Sequence, residues 1–458
     1  MGMRVTFLGG TGTVTGSKYL LDVSGPDGPR RVLVDCGLFQ GLKQLRVRNR
    51  EPLGVDPASI DAVILTHAHL DHSGWLPVLV REGFTGSVHT TSGTHDLCGI
   101  LLPDAAYLQE EHASYANTRG FSRHSPAEPL YTRADAAEAL RHLEPHPFDT
   151  VVSLGAGLDL TFRRAGHIVG ASSVLLEHAG HRLLFSGDLG RPDDPVMKPP
   201  ADLPAVDWLV VESTYGDRKH SIADPAEVLA DVVRRTAGRG GVLVIPSFAV
   251  GRAQSLMRLL AVLRREGRIP PIPMFLNSPM ATNATHVQRR HLADLRLTEA
   301  ECAEACDSVE YVRTADDSRA LNERRGPMVI ISASGMATGG RILHHLKRFG
   351  PDGRNTILFV GYQAAGTRGE SLLRGTRLLR IHGEMVPIGA DVVRLDGLSA
   401  HADYDEIIDW MSTAPAAPRR VFVTHGAPQA AQALRVQIES RLGWRADVPE
   451  LGDSVALR

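Results

Sequence analysis

Short apolar runs separated by glycine-rich and polar loops fill the first two hundred residues. Runs at 5–8, 18–23, 31–35, 62–65, 88–90, 158–163, 173–177 and 182–186 read as strands. A helix is expected over 101–115, then a polar loop with Pro126 and Pro129, then a second helix over about 133–143. Many of these strands are short, and glycine punctuation such as Gly9-Gly10-Thr11-Gly12 is dense, a pattern that predicts two packed sheets flanked by helices. Near Asp207 the pattern changes. Strands at 208–212, 241–246, 274–277, 328–332 and 356–360 alternate with amphipathic helices at 225–236 and 252–266, as in a doubly wound α/β domain. From about Val386 the strand-rich character returns, and a run at 420–424 leads into His425. The simplest layout is one sandwich domain, in parts 1–206 and 386–458, split by an inserted domain at 207–385.

One strand ends in unusual chemistry. Thr66-His67-Ala68-His69-Leu70-Asp71-His72 puts three imidazoles and a carboxylate directly behind the apolar run 62–65. These nitrogen and oxygen donors suit zinc, and one ion could not easily use all four from so short a loop. Alternate residues of an extended segment point the same way, so His67 and His69 can share one ion. Asp71 and His72, where the chain turns, can face a second.

Size and composition set limits. A chain of 458 residues exceeds what one core holds, so two lobes are expected. Hydrophobic content of 43% and charged content of 22% are those of an ordinary soluble protein. A net charge of −2 excludes any global bias towards nucleic acid or membrane. A local bias exists, because 319–380 holds eleven Lys/Arg against three Asp/Glu. Only five of the fifty basic residues are Lys, so nearly every cation is an arginine able to grip phosphate with two nitrogens.

Cys36, Cys98, Cys302 and Cys306 are too few and scattered for a disulfide framework, and the last two read as ordinary residues of one helix. No apolar run approaches the roughly 18 residues of a membrane helix. The N-terminus already reads as a strand, so no signal peptide is expected, and the short myristoylation-like Met1-Gly2 match overlaps that strand. The expected address is the cytoplasm, without a membrane partner.

Further donors sit at other strand-to-loop junctions: Asp35 after 31–34, His167 in Ala165-Gly-His, Asp188 after Phe185-Ser-Gly, and His425 after Val423-Thr. Each alone reads as a turn residue or a satisfied hydrogen bonder. Together with the first cluster they fit loops that converge on one sheet edge. The set His67-x-His69-x-Asp71-His72, His167, Asp188 and His425 resembles the metallo-β-lactamase superfamily. Glu212-Ser-Thr-Tyr-Gly, Ser399-Ala-His401-Ala-Asp and Thr424-His425-Gly resemble the extra motifs of its β-CASP nuclease branch, which includes the cleavage-and-polyadenylation endonuclease and its bacterial and archaeal homologues. The resemblance spans essentially the whole chain.

It implies a four-layer αββα sandwich with an inserted doubly wound β-CASP domain. It implies two zinc ions, one on His67, His69 and His167, the other on Asp71, His72 and His425, with Asp188 bridging and Asp35 holding the site's water or a ligand histidine. The reaction implied is hydrolysis of a phosphodiester by a hydroxide between the two ions, giving 5′-phosphate and 3′-hydroxyl ends. His401 is the candidate general acid and Glu212 the carboxylate that orients it.

The inserted domain is expected to grip substrate. Residues 332–341 leave a strand through small residues into a helix beginning near Arg341, a geometry that aims backbone N–H groups at an anion. Ser334, Gly335, Thr338, Gly339, Gly340 and Arg341 are the phosphate-binding candidates, with His344, His345, Lys347 and Arg348 following. The run 361–370 resembles another β-CASP loop. The family usually carries an arginine after its last glycine where this chain has Glu370, and Arg368 is the candidate replacement.

A histidine at 425 is the mark of RNA-directed members, so RNA is the expected substrate, and a homodimer is a candidate assembly. The chain closes soon after His425, without the long C-terminal domain of exonuclease-type relatives or the KH extension of archaeal ones. The expected mode is therefore endonucleolytic, with 5′-to-3′ exonuclease action as the alternative. A small-molecule metallohydrolase acting on a thioester or lactam is disfavoured by the insertion, the 319–380 charge and the Glu212/His401 pair. A silent RNA-binding scaffold would have no need of seven converging ligands.

Overall fold

The computed structural model describes residues 2–25, 28–119, 126–221, 224–361, 363 and 366–458. These form two compact units: 1–192 with 199–219 and 401–458, and 193–198 with 220–400.

The first unit is a sandwich of two seven-stranded sheets. In the first sheet, Met3–Phe7 pairs antiparallel with Tyr19–Gly25, Val5 opposite Leu21. Ser454–Leu457 closes the other side of Met3–Phe7. Beyond Tyr19–Gly25 follow Gly28–Val34, Ala62–Ile64, Ser87–Thr91 and Leu143–His146, the last four mutually parallel. The second sheet runs Ala446–Asp447, Arg420–Val423, Trp208–Val211, His181–Phe185, Ser172–His178, Leu158–Arg164 and Val151–Ser153.

Alternating positions of both sheets supply the core between them: Phe7, Val34 and Ile64 from one, Phe162, Leu176, Phe185 and Phe422 from the other. The outer face of the second sheet, Leu209, Val211, Val421 and Val423, is covered by Ile407, Met411 and Leu434 of helices Tyr404–Ser412 and Pro428–Gln437. Helix Ser92–Arg119, longer than the expected 101–115, packs on strands Ser87–Thr91 and Leu143–His146.

Strand direction places the chemistry. In the second sheet Leu158–Arg164 and His181–Phe185 both run antiparallel to Ser172–His178, and Trp208–Val211 and Arg420–Val423 run parallel to His181–Phe185. Their C-terminal ends therefore share one edge of the sheet. The residues that follow those ends are His167, Asp188, Glu212 and His425.

The second unit holds a six-stranded sheet in the order Glu310–Tyr311, Met274–Leu276, Met328–Ser332, Val242–Pro246, Thr356–Val360, Asp391–Leu395. Every pairing in it is parallel, as a doubly wound domain requires. Helices Pro225–Gly238 and Arg252–Arg265 pack on one face of it through Leu229, Val233, Leu256 and Leu260. Ile342, Leu346 and Phe349 of Ile342–Phe349 pack on the other. Helix Glu299–Asp307 is fixed by a Thr298/Glu301 capping box and buries both Cys302 and Cys306.

Domain limits differ from the sequence expectation. Trp208–Val211, expected to open the inserted domain at 207, belongs to the second sheet of the sandwich. Asp391–Leu395, expected in the returning sandwich after 386, pairs with Thr356–Val360 in the other unit. The unit limits accordingly fall at 219/220 and 400/401. The physical reason is that a central parallel strand is apolar on both faces, so Trp-Leu-Val-Val reads alike in either sheet.

Candidate metal centre

Two left-handed residues turn strand ends into the loops that carry the candidate donors. Asp35, after Gly28–Val34, has φ 60°, and His425, after Arg420–Val423, has φ 48°. Such values are uncommon away from glycine, and here the turn redirects the side chain over the sheet edge. Asp35 Oδ1 accepts from the backbone N–H and hydroxyl of Thr66, at 2.8 and 3.0 Å, tying the start of the histidine loop to the neighbouring strand. His425 N–H donates to the Gly10 carbonyl at 2.6 Å. Behind the loop, Gly37 packs so closely that a Cβ there would lie 1.6 Å from the Asp71 carbonyl oxygen.

The donors gather in two groups. His67 Nε2 and His167 Nε2 each lie 3.2 Å from His69 Nδ1. Three ring nitrogens meeting at such distances cannot all be satisfied by protons between them, whereas one cation satisfies all three. One ligand atom each from His67, His69, His167 and Asp188 lies within 4.8 Å of the others, and the same holds for Asp71, His72 and His425. Asp188 faces both groups. Its Oδ2 is 3.4 Å from His67 Nε2 and 3.6 Å from His167 Nε2. Its Oδ1 is 3.2 Å from His72 Nε2 and 3.4 Å from His425 Nδ1. Yet Oδ1, fully buried, has no well-aligned hydrogen bond. A buried carboxylate oxygen pointed at ring nitrogens without a hydrogen bond fits a metal ligand, and so does the wholly N/O donor set.

Protonation agrees with that fit. Burial, reinforced by the neighbouring His72, pulls His67 down to about 3. Burial likewise lowers His69 and His167. All three are neutral, with lone pairs to give. Burial opposes charge on Asp188 and Asp71, but the surrounding histidines outweigh it and hold both carboxyls below their usual range. His72 is the exception: burial would lower it, and Asp188 and Asp35 outweigh that and raise it.

The ring orientations have causes. His72 Nδ1 lies 2.7 Å from Asp35 Oδ2, which leaves Nε2 to face Asp188 and His425. Thr66 Oγ1 lies 3.1 Å from His67 Nδ1, which leaves Nε2 to the first group. Thr214 Oγ1 lies 3.2 Å from His425 Nδ1. Nothing in the sequence singles out Thr66 or Thr214, although both sit inside the motifs quoted above. A threonine beside a ligand has no pattern of its own.

His401 stands apart from both groups. Its Nδ1 is 3.1 Å from Glu212 Oε1, and Asp188 Oδ2 is 3.9 Å away. The ring is 21% exposed, while Glu212 is 1% exposed and accepts the Leu189 N–H at 2.7 Å. Burial would lower His401, but the Glu212 and Asp188 carboxylates outweigh it and raise the ring to about 9.

The phosphate candidates lie in the other unit. Ser334 Oγ accepts the Thr338 N–H at 3.1 Å, closing the loop that contains Gly335 and leads through Gly339 and Gly340 to Ile342–Phe349. Arg341 is turned into the protein: its guanidinium donates to Asn277 Oδ1 and to the Val312 and Arg313 carbonyls at 2.9, 3.0 and 2.7 Å. Arg368 donates to the carbonyls of Arg380, Ala337 and Thr338. Glu370 pairs with Arg374 one turn on. Of the run 361–370, residues 362, 364 and 365 lie outside the described residues. No described helix is long and apolar enough to cross a membrane.

Three family models match successive parts of the chain. Residues 18–230 match the model of the metallo-β-lactamase superfamily, 253–372 the β-CASP domain, and 385–449 the Zn-dependent metallo-hydrolase RNA specificity domain. Ribonuclease TTHA0252 of Thermus thermophilus is 38% identical, over 99% of this chain and 100% of that protein. Transcription termination factor FttA of Methanosarcina mazei is 33% identical, over 96% of this chain and 69% of its own length. A crystal structure of an Enterococcus faecalis protein of unknown function shares the fold, with a TM-score of 0.55 over the full length of both chains at 14% identity. The chain belongs to the β-CASP branch of the metallo-β-lactamase superfamily.

Proposed function

We propose that the chain is a zinc-dependent ribonuclease that cuts RNA internally and carries two zinc ions. The observation that carries this reading is the position of Asp188, which presents one carboxylate oxygen to each of two donor groups. A closed structural site takes four ligands, and seven N/O donors exceed one ion's needs while leaving positions open on two. In this reading His67, His69 and His167 hold one ion, Asp71, His72 and His425 the other, and Asp188 both. Zinc held there supplies Lewis acidity towards a phosphoryl oxygen and acidifies a bound water.

The chain's own groups do the rest. Asp35 and Thr66 fix the ring planes of His72 and His67. His401, held protonated by Glu212, gives its proton to the departing 3′-oxygen, leaving a 5′-phosphate on the other fragment. The match of 385–449 to an RNA specificity domain and the name of the Thermus relative support RNA as the substrate. The loop from Ser334 to Gly340 offers backbone N–H groups to phosphates, and Arg341 and Arg368 brace that loop through its own and neighbouring carbonyls.

RNA labelled at its 5′ end tests the mode. Internal cutting gives labelled fragments of many lengths from the first time points. Release of labelled mononucleotide alone would replace this reading with 5′-to-3′ exonuclease action, and cleavage of generic esters but not RNA would replace it with a small-molecule hydrolase.

A further inference from the structure

A separate cluster of imidazole and carboxylate donors lies on the inner face of the first sheet, at its far edge. His89 of Ser87–Thr91 stands in parallel register with Ile64 on one side and Glu144 of Leu143–His146 on the other. Side chains alternate along a strand, so His89, Glu144 and His146 share the face on which Ile64 enters the core. The His146 ring stacks on Phe162, a core residue of the opposite sheet, with centroids 6.3 Å apart and planes 18° apart. Such inner-face positions ordinarily take aliphatic residues, and His89 is only 8% exposed.

The three side chains converge. His89 Nδ1 lies 2.9 Å from His146 Nε2 and 3.6 Å from Glu144 Oε2, and one ligand atom from each residue lies within 4.8 Å of the others. Ligands about 2.0–2.2 Å from a tetrahedral zinc stand roughly 3.3–3.6 Å apart, so small side-chain adjustments complete the geometry. The Ser87 hydroxyl donates to Glu144 Oε1 at 2.6 Å, which leaves Oε2 directed at the histidines. Burial, then the facing His146, holds His89 below the usual imidazole range, and burial does the same for His146. Both rings therefore keep lone pairs. Glu144 is 53% exposed, so an ion has an entry path and a fourth position open to water.

We propose that His89, Glu144 and His146 form a zinc site distinct from the Asp188 centre, pinning the edge strand Leu143–His146 to Ser87–Thr91. A bare imidazole–imidazole hydrogen bond accounts for the 2.9 Å contact but not for a braced carboxylate turned to the same point.

The test is a zinc count. Wild-type chain, His146→Gln and Glu144→Gln are saturated with zinc, desalted, and analysed for metal per chain by mass spectrometry, with circular dichroism as a folding check. Each variant is expected to hold one zinc fewer than wild type, with RNA cleavage unchanged. Glu144 is at the surface, so its substitution keeps the test valid if His146→Gln fails to fold. Equal zinc contents in wild type and Glu144→Gln would overturn the site, and so would a zinc loss that takes RNA cleavage with it, since that would make these residues part of the Asp188 centre.

Discussion

His72 Nδ1 lies 2.7 Å from Asp35 Oδ2, and that contact decides which nitrogen of the ring is left for a metal. The same carboxylate accepts from Thr66 through its other oxygen, so one residue orients two parts of the ligand loop. Asp35→Asn keeps the size and the tolerance for a left-handed backbone but breaks this pairing. It is expected to weaken zinc binding by about 10–100-fold, as loss of such outer partners commonly does. Competition with a chromophoric chelator measures it, and an unchanged affinity would show that His72 is oriented by other means.

His401 pairs with Glu212 and belongs to neither donor group, so its removal separates chemistry from metal binding. His401→Ala is expected to retain zinc while turnover falls by about 10²–10⁴-fold, the range for a lost general acid. Loss of one zinc in that variant would make His401 a ligand.

Gly37 is a steric constraint on the same loop. Any Cβ there meets the Asp71 carbonyl at 1.6 Å, and backbone on backbone has no easy way to yield. Gly37→Ala is expected to cost about 1–3 kcal/mol of stability, the usual scale of overpacking, and to lower zinc content by displacing Asp71 and His72. Thermal unfolding and metal analysis together check it; full stability with full zinc would contradict the packing.

Lys18 lies 4% exposed between the Gly37 carbonyl and the Phe39 and Trp75 rings. Burial pulls it down from 10.5 to about 8, with Cys36 opposing weakly. A lysine lowered in the folded state binds its proton better when unfolded, so its contribution to stability grows as pH rises from about 8 towards 10.5. Wild type is therefore expected to gain on Lys18→Met across that window, by on the order of 1–3 kcal/mol. Urea midpoints at the two ends of the window test it, and a constant difference would mean that Lys18 titrates normally.

RNA binding that neutralises backbone phosphates should weaken steeply with salt, since each neutralised phosphate releases counterion. Fluorescence anisotropy with single-stranded RNA reads the slope. A flat response would favour a small uncharged substrate.

The clustering of these donors was legible because its chemistry is local: His67, His69, Asp71 and His72 fall in one loop, and His167, Asp188 and His425 each follow an apolar strand. What the pattern cannot carry is which sheet a fully buried strand joins. Trp208–Val211, buried along its whole length, is sorted by long-range pairing alone, and so is the half-exposed edge strand Asp391–Leu395. Edge strands such as Leu143–His146 were also missed, because Leu-Glu-Pro-His has no alternation to announce it. Arginine presents a different difficulty. Clustering in 319–380 suggested a phosphate grip, yet Arg341, Arg348, Arg368 and Arg377 all donate to backbone carbonyls. A sequence shows the charge but not which way the guanidinium turns.

The most direct measurement removes the metal from the intact chain. Protein stripped by a chelator and freed of it is mixed with end-labelled RNA, and zinc is then restored. The stripped chain is expected to leave RNA intact and to regain internal cutting with zinc; cleavage that persists in the metal-free protein would rule out a zinc-dependent reaction.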